Sequence, residues 1–310
     1  MNEKDRQKKQ RDLLLKIARC EIAKERVSLL IRNKGEKDPS NTHPCDDICK
    51  FQYDKIQNGL DKDDPKQEVT KAMFHVPEPW NGNLETAKIL FVGSNPNINL
   101  KEDFPKFESE EWSEDKKNEV VVFFSGRLNR LDLENDIKNT RYWREIYKYA
   151  AWILEATDPS WAVDKENEED KKREIDSRVA LTEIVHCKSE KQRGVSKAAA
   201  KTCFEKYTKK VIEYFLETTS GSGNIKTVMF LGAIARNTIC AGAGTNTSNV
   251  DREKIAEYFG VSNQNVRFIC IPHPSRLSNK WTSWNSGETY IGLSDPTRKK
   301  IIDEELKQYG

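Results

Sequence analysis

The stretch AKILFVG at residues 87–93 is an apolar run that ends in glycine, and the polar sequence SNPN follows it at once. Three similar runs occur later in the chain: RVALTEIVH at 178–186, TVMFLGA at 227–233 and VRFICIP at 266–272. Near-continuous apolar strands are typical of a parallel sheet that is covered by helices on both faces. Segments with helical periodicity separate the runs, at 141–156 and 196–217. The sequence therefore predicts an α/β fold: a three-layer αβα sandwich with a central, mainly parallel four-stranded sheet.

The N-terminal region has a pattern of its own. Residues 8–33 place apolar residues, among them Leu14, Ile17 and Val27, at spacings that suit one amphipathic helix with a basic outer face. Residues 34–70 are polar and contain Pro, Asn and Asp, which predicts a loop. We therefore divide the chain into an N-terminal helical extension, residues 1–40, and one larger domain, residues 41–310.

The composition indicates a folded protein of the cytoplasm. The chain has 310 residues, of which 36% are hydrophobic and 33% charged, and seven Trp, nine Tyr and twelve Phe supply large core side chains. There is no run of about 18 apolar residues and no signal-peptide pattern at the start, so we expect neither a membrane segment nor secretion. Seven cysteines, an odd number, favour reduced thiols or metal ligands over disulfides. We expect a cytoplasmic protein that acts as a monomer.

Residues that suit a binding site follow all four apolar runs. The first run leads into GSNPN, the second contains Glu183 and leads into HCKSEKQRG, the third leads into LGAIAR and the fourth into HPSRLS. In an open α/β sheet, ligands bind beyond the carboxyl ends of the strands. The sequence therefore predicts one site to which these four segments contribute.

The motifs at these positions resemble those of the uracil-DNA glycosylase superfamily. GSNPN at 93–97 is similar to its G-x-N-P turn, and HPSRL at 273–277 is similar to its H-P-S loop. LTEIVHC at 181–187 and FLGAIAR at 230–236 are similar to segments of the iron-sulfur branch of that superfamily. The resemblance covers roughly residues 45–50 and 87–280. It implies a monofunctional DNA glycosylase, which flips a base out of DNA and hydrolyses its N-glycosidic bond to leave an abasic site.

The resemblance assigns catalytic and base-binding roles to the first and last motifs. Asn95 matches the position that holds the attacking water, and His273 matches the one that hydrogen-bonds the departing base. Gly93, Ser94 and Pro96 are assigned to base binding, because glycine lets the backbone approach the nucleotide and proline fixes the turn. An amide suits a dissociative reaction, in which the water need only be held while negative charge builds on the base. From the residues alone, Asn95 is also an ordinary turn residue and His273 an ordinary loop histidine.

Extrusion of the base implies further contacts with double-stranded DNA. Family members insert a side chain from the H-P-S loop into the vacated stack, which assigns Ser275, Arg276 and Leu277 to DNA contact. Arg276 or Leu277 fills the stack, or Arg276 instead binds a phosphate. Phe123 or Phe124 is assigned to stacking on the extruded base, with core packing as the alternative for at least one of them.

A basic stretch follows the second apolar run. From residue 186 to residue 210 there are eight Lys or Arg against two acidic residues. Such a local surplus suits contact with a polyanion, so we predict that Lys188, Lys191 and Arg193 contact the DNA backbone. The alternative is a solvated helix face.

Glu183 departs from the iron-sulfur branch, which has Asn at this position. An amide both donates and accepts hydrogen bonds, whereas an ionised carboxylate only accepts them. A carboxylate would repel O4 of uracil, but it is the expected partner of the N4 amino group of a cytosine. We therefore predict a 5-modified cytosine as the substrate, such as glucosylated hydroxymethylcytosine of phage DNA, and a role in anti-phage defence. A protonated Glu183, or one that points elsewhere, would instead leave a repair enzyme for uracil or hypoxanthine.

The resemblance also implies a cofactor. The positions of four cysteines match the ligands of a [4Fe-4S] cluster in the iron-sulfur branch: Cys45, Cys49, Cys187 and Cys203. The 16-residue step between the last two agrees with that branch, whereas Cys-x3-Cys at 45–49 departs from its usual Cys-x2-Cys. We expect a structural cluster, because hydrolysis needs no electron transfer. The remaining cysteines are interpreted as ordinary buried thiols: Cys20, Cys240 and Cys270.

Two other classes of protein fit parts of the sequence. GAGTNT at 242–247 favours a small-molecule enzyme of Rossmann type, but it is not G-x-G-x-x-G and does not directly follow a predicted strand. A module that binds a modified base without cutting it is the stronger alternative. Only an enzyme would leave alkali-labile abasic sites.

Overall fold

The structure, a computed structural model, describes residues 2–60, 67–100, 102–107, 111–125, 141–158, 161, 167–217, 225–262, 265–271 and 296–307. Within these ranges the chain has an α/β fold with a five-stranded mixed sheet. The chain divides into two compact units, each built from three segments. The first unit comprises Met1–Trp80, Ser94–Ser125 and Thr182–Val211, and the second comprises Asn81–Gly93, Gly126–Leu181 and Ile212–Gly310.

The helices and strands are numbered in chain order. The strands are β1 (Trp80–Gly82), β2 (Ile89–Gly93), β3 (Val179–Glu183), β4 (Lys226–Leu231) and β5 (Val266–Ile271). The α-helices of the described ranges are α1 (Glu3–Ala18), α2 (Glu21–Arg32), α3 (Asp46–Gln57), α4 (Glu114–Ser125), α5 (Arg141–Thr157), α6 (Glu168–Arg178), α7 (Lys197–Cys203), α8 (Lys209–Glu217), α9 (Gly232–Gly242), α10 (Arg252–Tyr258) and α11 (Pro296–Leu306). A 3-10 turn at Lys71–Met73 and a π turn at Phe204–Thr208 complete the set. No helix in these ranges is long and apolar enough to span a membrane.

The N-terminal region of the first unit contains two helices where one was predicted. Asn2 caps α1, since its side chain accepts a hydrogen bond from the Asp5 amide at 2.9 Å. The helix ends at Ala18 with Arg19 as its C-cap, and Cys20 is the N-cap of α2. The single helix predicted over residues 8–33 is therefore wrong, because the apolar pattern runs through a break that no Gly or Pro marks.

A third helix lies where the sequence predicted a loop. Residues 46–57 form α3, whose buried side chains include Ile48, Gln52, Tyr53 and Ile56. These positions are spaced by three or four residues, which is helical periodicity in a short, polar context. The domain boundary at residue 40 stays a prediction, and residues 1–40 belong to the first unit together with α3.

The four predicted strands are present, and a fifth lies at the edge of the sheet. The strand order is β1-β3-β2-β4-β5, with β2 parallel to β4 and β4 parallel to β5. In this register Ile89 of β2 faces Thr227 of β4, and Lys226 faces Val266 of β5. The prediction of a four-stranded sheet missed β1 because three residues are too few to show a strand pattern.

Alternate residues of the strands build the core of the second unit. One buried cluster contains Phe91 of β2, Leu181 of β3, Met229 of β4 and Ile269 of β5, packed with Trp152 and its neighbours on α5. Side chains on a strand alternate between its two faces, so this cluster uses every second position. All residues of β2, β3 and β4 are buried, as expected for strands covered on both faces.

Candidate active site

The loop after β2 is joined by backbone hydrogen bonds to the segment that follows β3. The Val185 amide donates to the Ser94 carbonyl at 3.0 Å, and the Ser189 amide donates to the Pro96 carbonyl at 3.0 Å. All four residues belong to the first unit. The loop that contains Asn95 and the segment after β3 therefore lie side by side.

Asn95 is held in one orientation. Its Nδ2 donates to Ser189 Oγ at 2.8 Å and to the Pro96 carbonyl at 3.2 Å. A carbonyl oxygen can only accept, so this pair of contacts fixes which end of the amide is nitrogen. The Asn95 Oδ1 atom is buried and has no hydrogen-bond partner among the described residues. The side chain therefore presents an acceptor of fixed position to whatever enters the site.

Gln192 holds the neighbouring serine. Lys191 and Gln192 have φ angles of 51° and 64°, and the turn they form lets Gln192 Nε2 donate to Ser94 Oγ at 3.2 Å. Non-glycine residues in this left-handed region are uncommon and cluster at functional sites. The only local sequence signal for the contact between Gln192 and Ser94 is Gly194, which ends the turn.

Glu183 ends β3 as a buried carboxyl group. It is 7% exposed, and its Oε2 has no hydrogen-bond partner among the residues described. Burial raises the pKa of Glu183 well above its usual value, and the nearby Glu78 carboxyl raises it further. Burial and the neighbouring carboxyl group therefore favour the protonated form of Glu183 over the carboxylate.

Glu78 is the residue that sequence reasoning missed here. It is buried, and its Oε2 lies 3.2 Å from Nζ of Lys188. Its carbonyl accepts a hydrogen bond from His186 Nδ1 at 2.7 Å, and burial lowers the pKa of His186 to about 4, so that histidine is neutral. The backbone of residue 78 is thereby fixed to the segment that follows Glu183.

Lys188 is not at the surface, where it was predicted to contact DNA. Its side chain is 1% exposed and pairs with Glu78 and with Glu102, the latter at 3.3 Å. Its Nζ also lies 3.5 Å from the ring centroid of Phe104. The predicted contact between Lys188 and the DNA backbone is therefore wrong for this structure, because the ammonium group is enclosed by protein. Lys191 and Arg193 are exposed, and their DNA contacts stay predictions.

The two candidate stacking residues lie on α4 and differ in exposure. Phe124 is 0% exposed and packs edge-on against Phe104 and Phe123. Phe124 is therefore a core residue, as the core-packing alternative for at least one of the two predicts, and it has no exposed face on which a base could stack. Phe123 is half-buried. Phe104, which stacks on His75 with centroids 5.0 Å apart, is a further buried aromatic group of this region.

Five cysteines of the first unit lie together. Cys45, Cys187 and Cys203 line a small enclosed cavity with Cys20, and Cys49 lies next to Cys187. Cys20, interpreted from the sequence as an ordinary buried thiol, is buried and lies beside three of the predicted cluster ligands. Burial raises the pKa of Cys45 and Cys203, and neighbouring thiols raise both further.

The cysteine cluster differs from a site for one metal ion. Among the described residues, no three His, Cys, Asp or Glu side chains converge on a single ion position. An iron-sulfur cluster is larger than one ion and takes four thiolates, so the donor set fits that cofactor in chemistry and number. Cys240 and Cys270 lie in the second unit, in α9 and β5 respectively.

Four predicted site residues lie outside the described residues: His273, Ser275, Arg276 and Leu277. Gly93 ends β2, with Ser94 and Pro96 buried beside it. The alternative Rossmann motif at 242–247 begins at the last residue of α9 and so follows a helix, where a dinucleotide-binding turn would follow a strand.

A comparison of the chain with protein-family models and with curated proteins found no match.

Proposed function

We propose that this chain is a monofunctional DNA glycosylase that hydrolyses the N-glycosidic bond of a base flipped out of duplex DNA. The observation that carries the proposal is the fixed amide of Asn95, whose Oδ1 is buried and unpaired. A hydrolytic site of this type needs an acceptor that holds one water against the sugar while charge develops on the base. We also propose the detailed architecture that the sequence predicts, a three-layer αβα sandwich with a mainly parallel sheet.

The proposed reaction divides between two groups. Asn95 orients the water by accepting one of its protons in a hydrogen bond, and it does not act as a base. His273 is proposed to donate a hydrogen bond to the departing base, which stabilises the negative charge on it. The products are an abasic site in the DNA and the released base.

The proposed substrate is a 5-modified cytosine, such as glucosylated hydroxymethylcytosine, and the proposed role is defence against phage in the cytoplasm. Glu183 supports this choice, because its buried Oε2 has no partner among the described residues and would accept a hydrogen bond from the N4 amino group. An unmodified cytosine must be rejected, since its removal would damage the host genome. A pocket that requires the 5-substituent would provide that rejection.

The raised pKa of Glu183 favours a second candidate, a repair glycosylase for uracil or hypoxanthine. A protonated carboxyl group donates as well as accepts, so it can hydrogen-bond to O4 and N3–H of uracil. Glu183→Gln separates the two protonation states of this side chain, because glutamine mimics the neutral carboxyl group. Activity retained in Glu183→Gln supports the protonated form, and activity lost supports the carboxylate.

We also propose that the chain carries a structural [4Fe-4S] cluster and acts as a monomer. The buried thiols of the first unit support the cofactor, because their number and burial suit iron-sulfur ligation. When bound, the cluster would cross-link the segments that supply its ligands. The chemistry at Asn95 does not pass through it.

The test is base release from defined duplexes. Duplexes that carry uracil, hypoxanthine, 5-hydroxymethylcytosine or its glucosylated form are incubated with the protein and then treated with alkali. Strand scission on the glucosylated duplex alone is the expected result, and Asn95→Ala should abolish it. Asn97→Ala is the matched control, since Asn97 lies on the same loop and is exposed. Absence of scission on every duplex would contradict the proposed reaction.

A further inference from the structure

The enclosed cavity in the first unit has a different set of cysteines from the one that the motif resemblance implies. The lining residues in the described part of the chain include Cys20, Cys45, Cys187 and Cys203, but not Cys49. All four lining thiols belong to the first unit and are buried. Cys49 lies one helical turn after Cys45, and its amide donates a hydrogen bond to the Cys45 carbonyl at 3.1 Å. Its thiol contacts Cys187 rather than the cavity.

The four lining thiols share one small cavity and are therefore neighbours of one another. Four mutually close thiolates would repel one another in a buried site, and a cationic cluster is the ligand that removes that repulsion.

Cys20 also has the surroundings of a ligating thiol. It is the N-cap of α2, where the helix dipole favours a negative charge. Tyr207 Oη donates to its sulfur at 3.2 Å. The His186 amide donates to the sulfur of Cys203 at 3.5 Å. Hydrogen bonds of this kind to ligating sulfurs tune iron-sulfur clusters.

We propose that Cys20, Cys45, Cys187 and Cys203 ligate the [4Fe-4S] cluster, with Cys20 in the place that the motif resemblance gives to Cys49. This inference rests on the cofactor in the proposed function and not on the proposed reaction. It also gives the N-terminal helices a role, because Cys20 joins α1 to α2 and so ties both to the cluster. The unusual Cys-x3-Cys spacing then needs no second ligand at residue 49.

The first test measures iron, sulfide and visible absorbance of the full chain after anaerobic reconstitution. We expect Cys20→Ser to lose the cluster, and Cys49→Ser and the control Cys240→Ser to keep it. Cys240 is a matched control because it is a buried thiol of the second unit and does not line the cavity. Full iron content in Cys20→Ser would overturn the proposal.

A second variant separates ligation from folding. Tyr207→Phe keeps every thiol and removes the hydrogen bond to Cys20, so it should lower the reduction potential of the cluster without loss of iron. Tyr214→Phe, which removes a hydroxyl bonded to Glu85 in the second unit, should leave the potential unchanged. If Cys20→Ser and Cys49→Ser both lose the cluster, an unchanged potential in Tyr207→Phe overturns the proposal.

Base release measured on the same samples keeps the two proposals apart. Wild-type protein that binds no iron but releases a base would overturn the ligand set and leave the proposed reaction standing. Wild-type protein that binds iron through Cys20 but releases no base would support the ligand set and contradict the reaction.

Discussion

Replacing Lys188 with methionine tests the buried charge cluster beside the candidate active site. Methionine has a similar length and no charge, so it removes the ammonium while it keeps most of the packing. In the wild type this ammonium lies 3.2 Å from Glu78 and 3.3 Å from Glu102, and 3.5 Å from the centre of the Phe104 ring. Each of these contacts is lost in Lys188→Met.

The expected loss of stability in Lys188→Met depends on how deeply each ion-pair partner of Lys188 is buried. Glu78 is 6% exposed in its side chain, and loss of one member of such a buried pair costs about 3–5 kcal/mol. Glu102 is 31% exposed, so water replaces the ammonium there and the cost is about 0–1 kcal/mol. The aromatic contact adds up to about 2 kcal/mol when it is desolvated. We expect the free energy of unfolding to fall by about 3–5 kcal/mol, since the carboxyl group of Glu78 can take up a proton and so limit the total.

The assay is urea unfolding of the full chain at pH 7, with Lys55→Met as the control. Lys55 forms an ion pair with Glu190 at 3.2 Å, but both side chains are partly exposed, so its loss should cost about 0–1 kcal/mol. The double variant Lys188→Met with Glu78→Gln should be more stable than Lys188→Met, because no buried charge is then left facing methionine. Equal midpoints for Lys188→Met and Lys55→Met would refute the reasoning.

Three further predictions test the site and the fold. Asn95→Ala should reduce base release by about 100-fold or more, because the water is no longer held, while Asn97→Ala should leave the rate within about twofold of the wild type. Burial raises the pKa of Asp176 to about 7, so ionisation of this carboxyl group in the folded state is disfavoured. The free energy of unfolding of the wild type should therefore fall by about 2 kcal/mol between pH 4 and pH 7, a value already reduced for screening by solvent. Asp176→Asn should remove this contribution to the pH dependence, as measured by urea unfolding. Gly194 has a φ of 77°, and an added Cβ would lie 2.6 Å from backbone atoms of the facing helix, so Gly194→Ala should cost about 2–5 kcal/mol. Gly260→Ala, at a φ of 65° with open space around it, should cost only about 1–2 kcal/mol in the same thermal and urea melts.

The strands could be predicted from the sequence because their signal is local and strong. In β2 and β4 every residue is buried, so the apolar run itself marks the strand. The break at Cys20 and the helix α3 could not be found in the same way. The break lacks Gly and Pro, and α3 carries its apolar residues in a polar segment. Both depend on packing between distant segments, which periodicity does not report.

The motifs of the candidate site could be recognised in the sequence, but the burial and pairing of its charged residues could not be predicted. The turn containing Asn95 and the buried position of Glu183 follow from residues next to a strand. Lys188 was assigned to the surface because charge runs are usually solvated, yet it is 1% exposed. Its partner Glu78 lies 110 residues earlier in the chain, and no local pattern connects the two.

The charge around Glu183 links the choice of base to the protonation state of the site. Lys188 pairs with Glu78 and Glu102, so two carboxyl groups already share its single positive charge. No further positive charge of Lys188 is left to stabilise an ionised Glu183. Ionising Glu183 as well would add a buried negative charge beside Glu78, which is why its pKa is raised. A neutral carboxyl group has one donor and one acceptor, and it can satisfy the edge of cytosine, with N4–H and N3, as well as the edge of uracil, with O4 and N3–H. A neutral Glu183 therefore does not exclude uracil, and the proposed selectivity for a modified cytosine would depend on contacts with the 5-substituent. Glu183→Gln consequently reports the protonation state, while the glucosylated and unmodified duplexes report the selectivity.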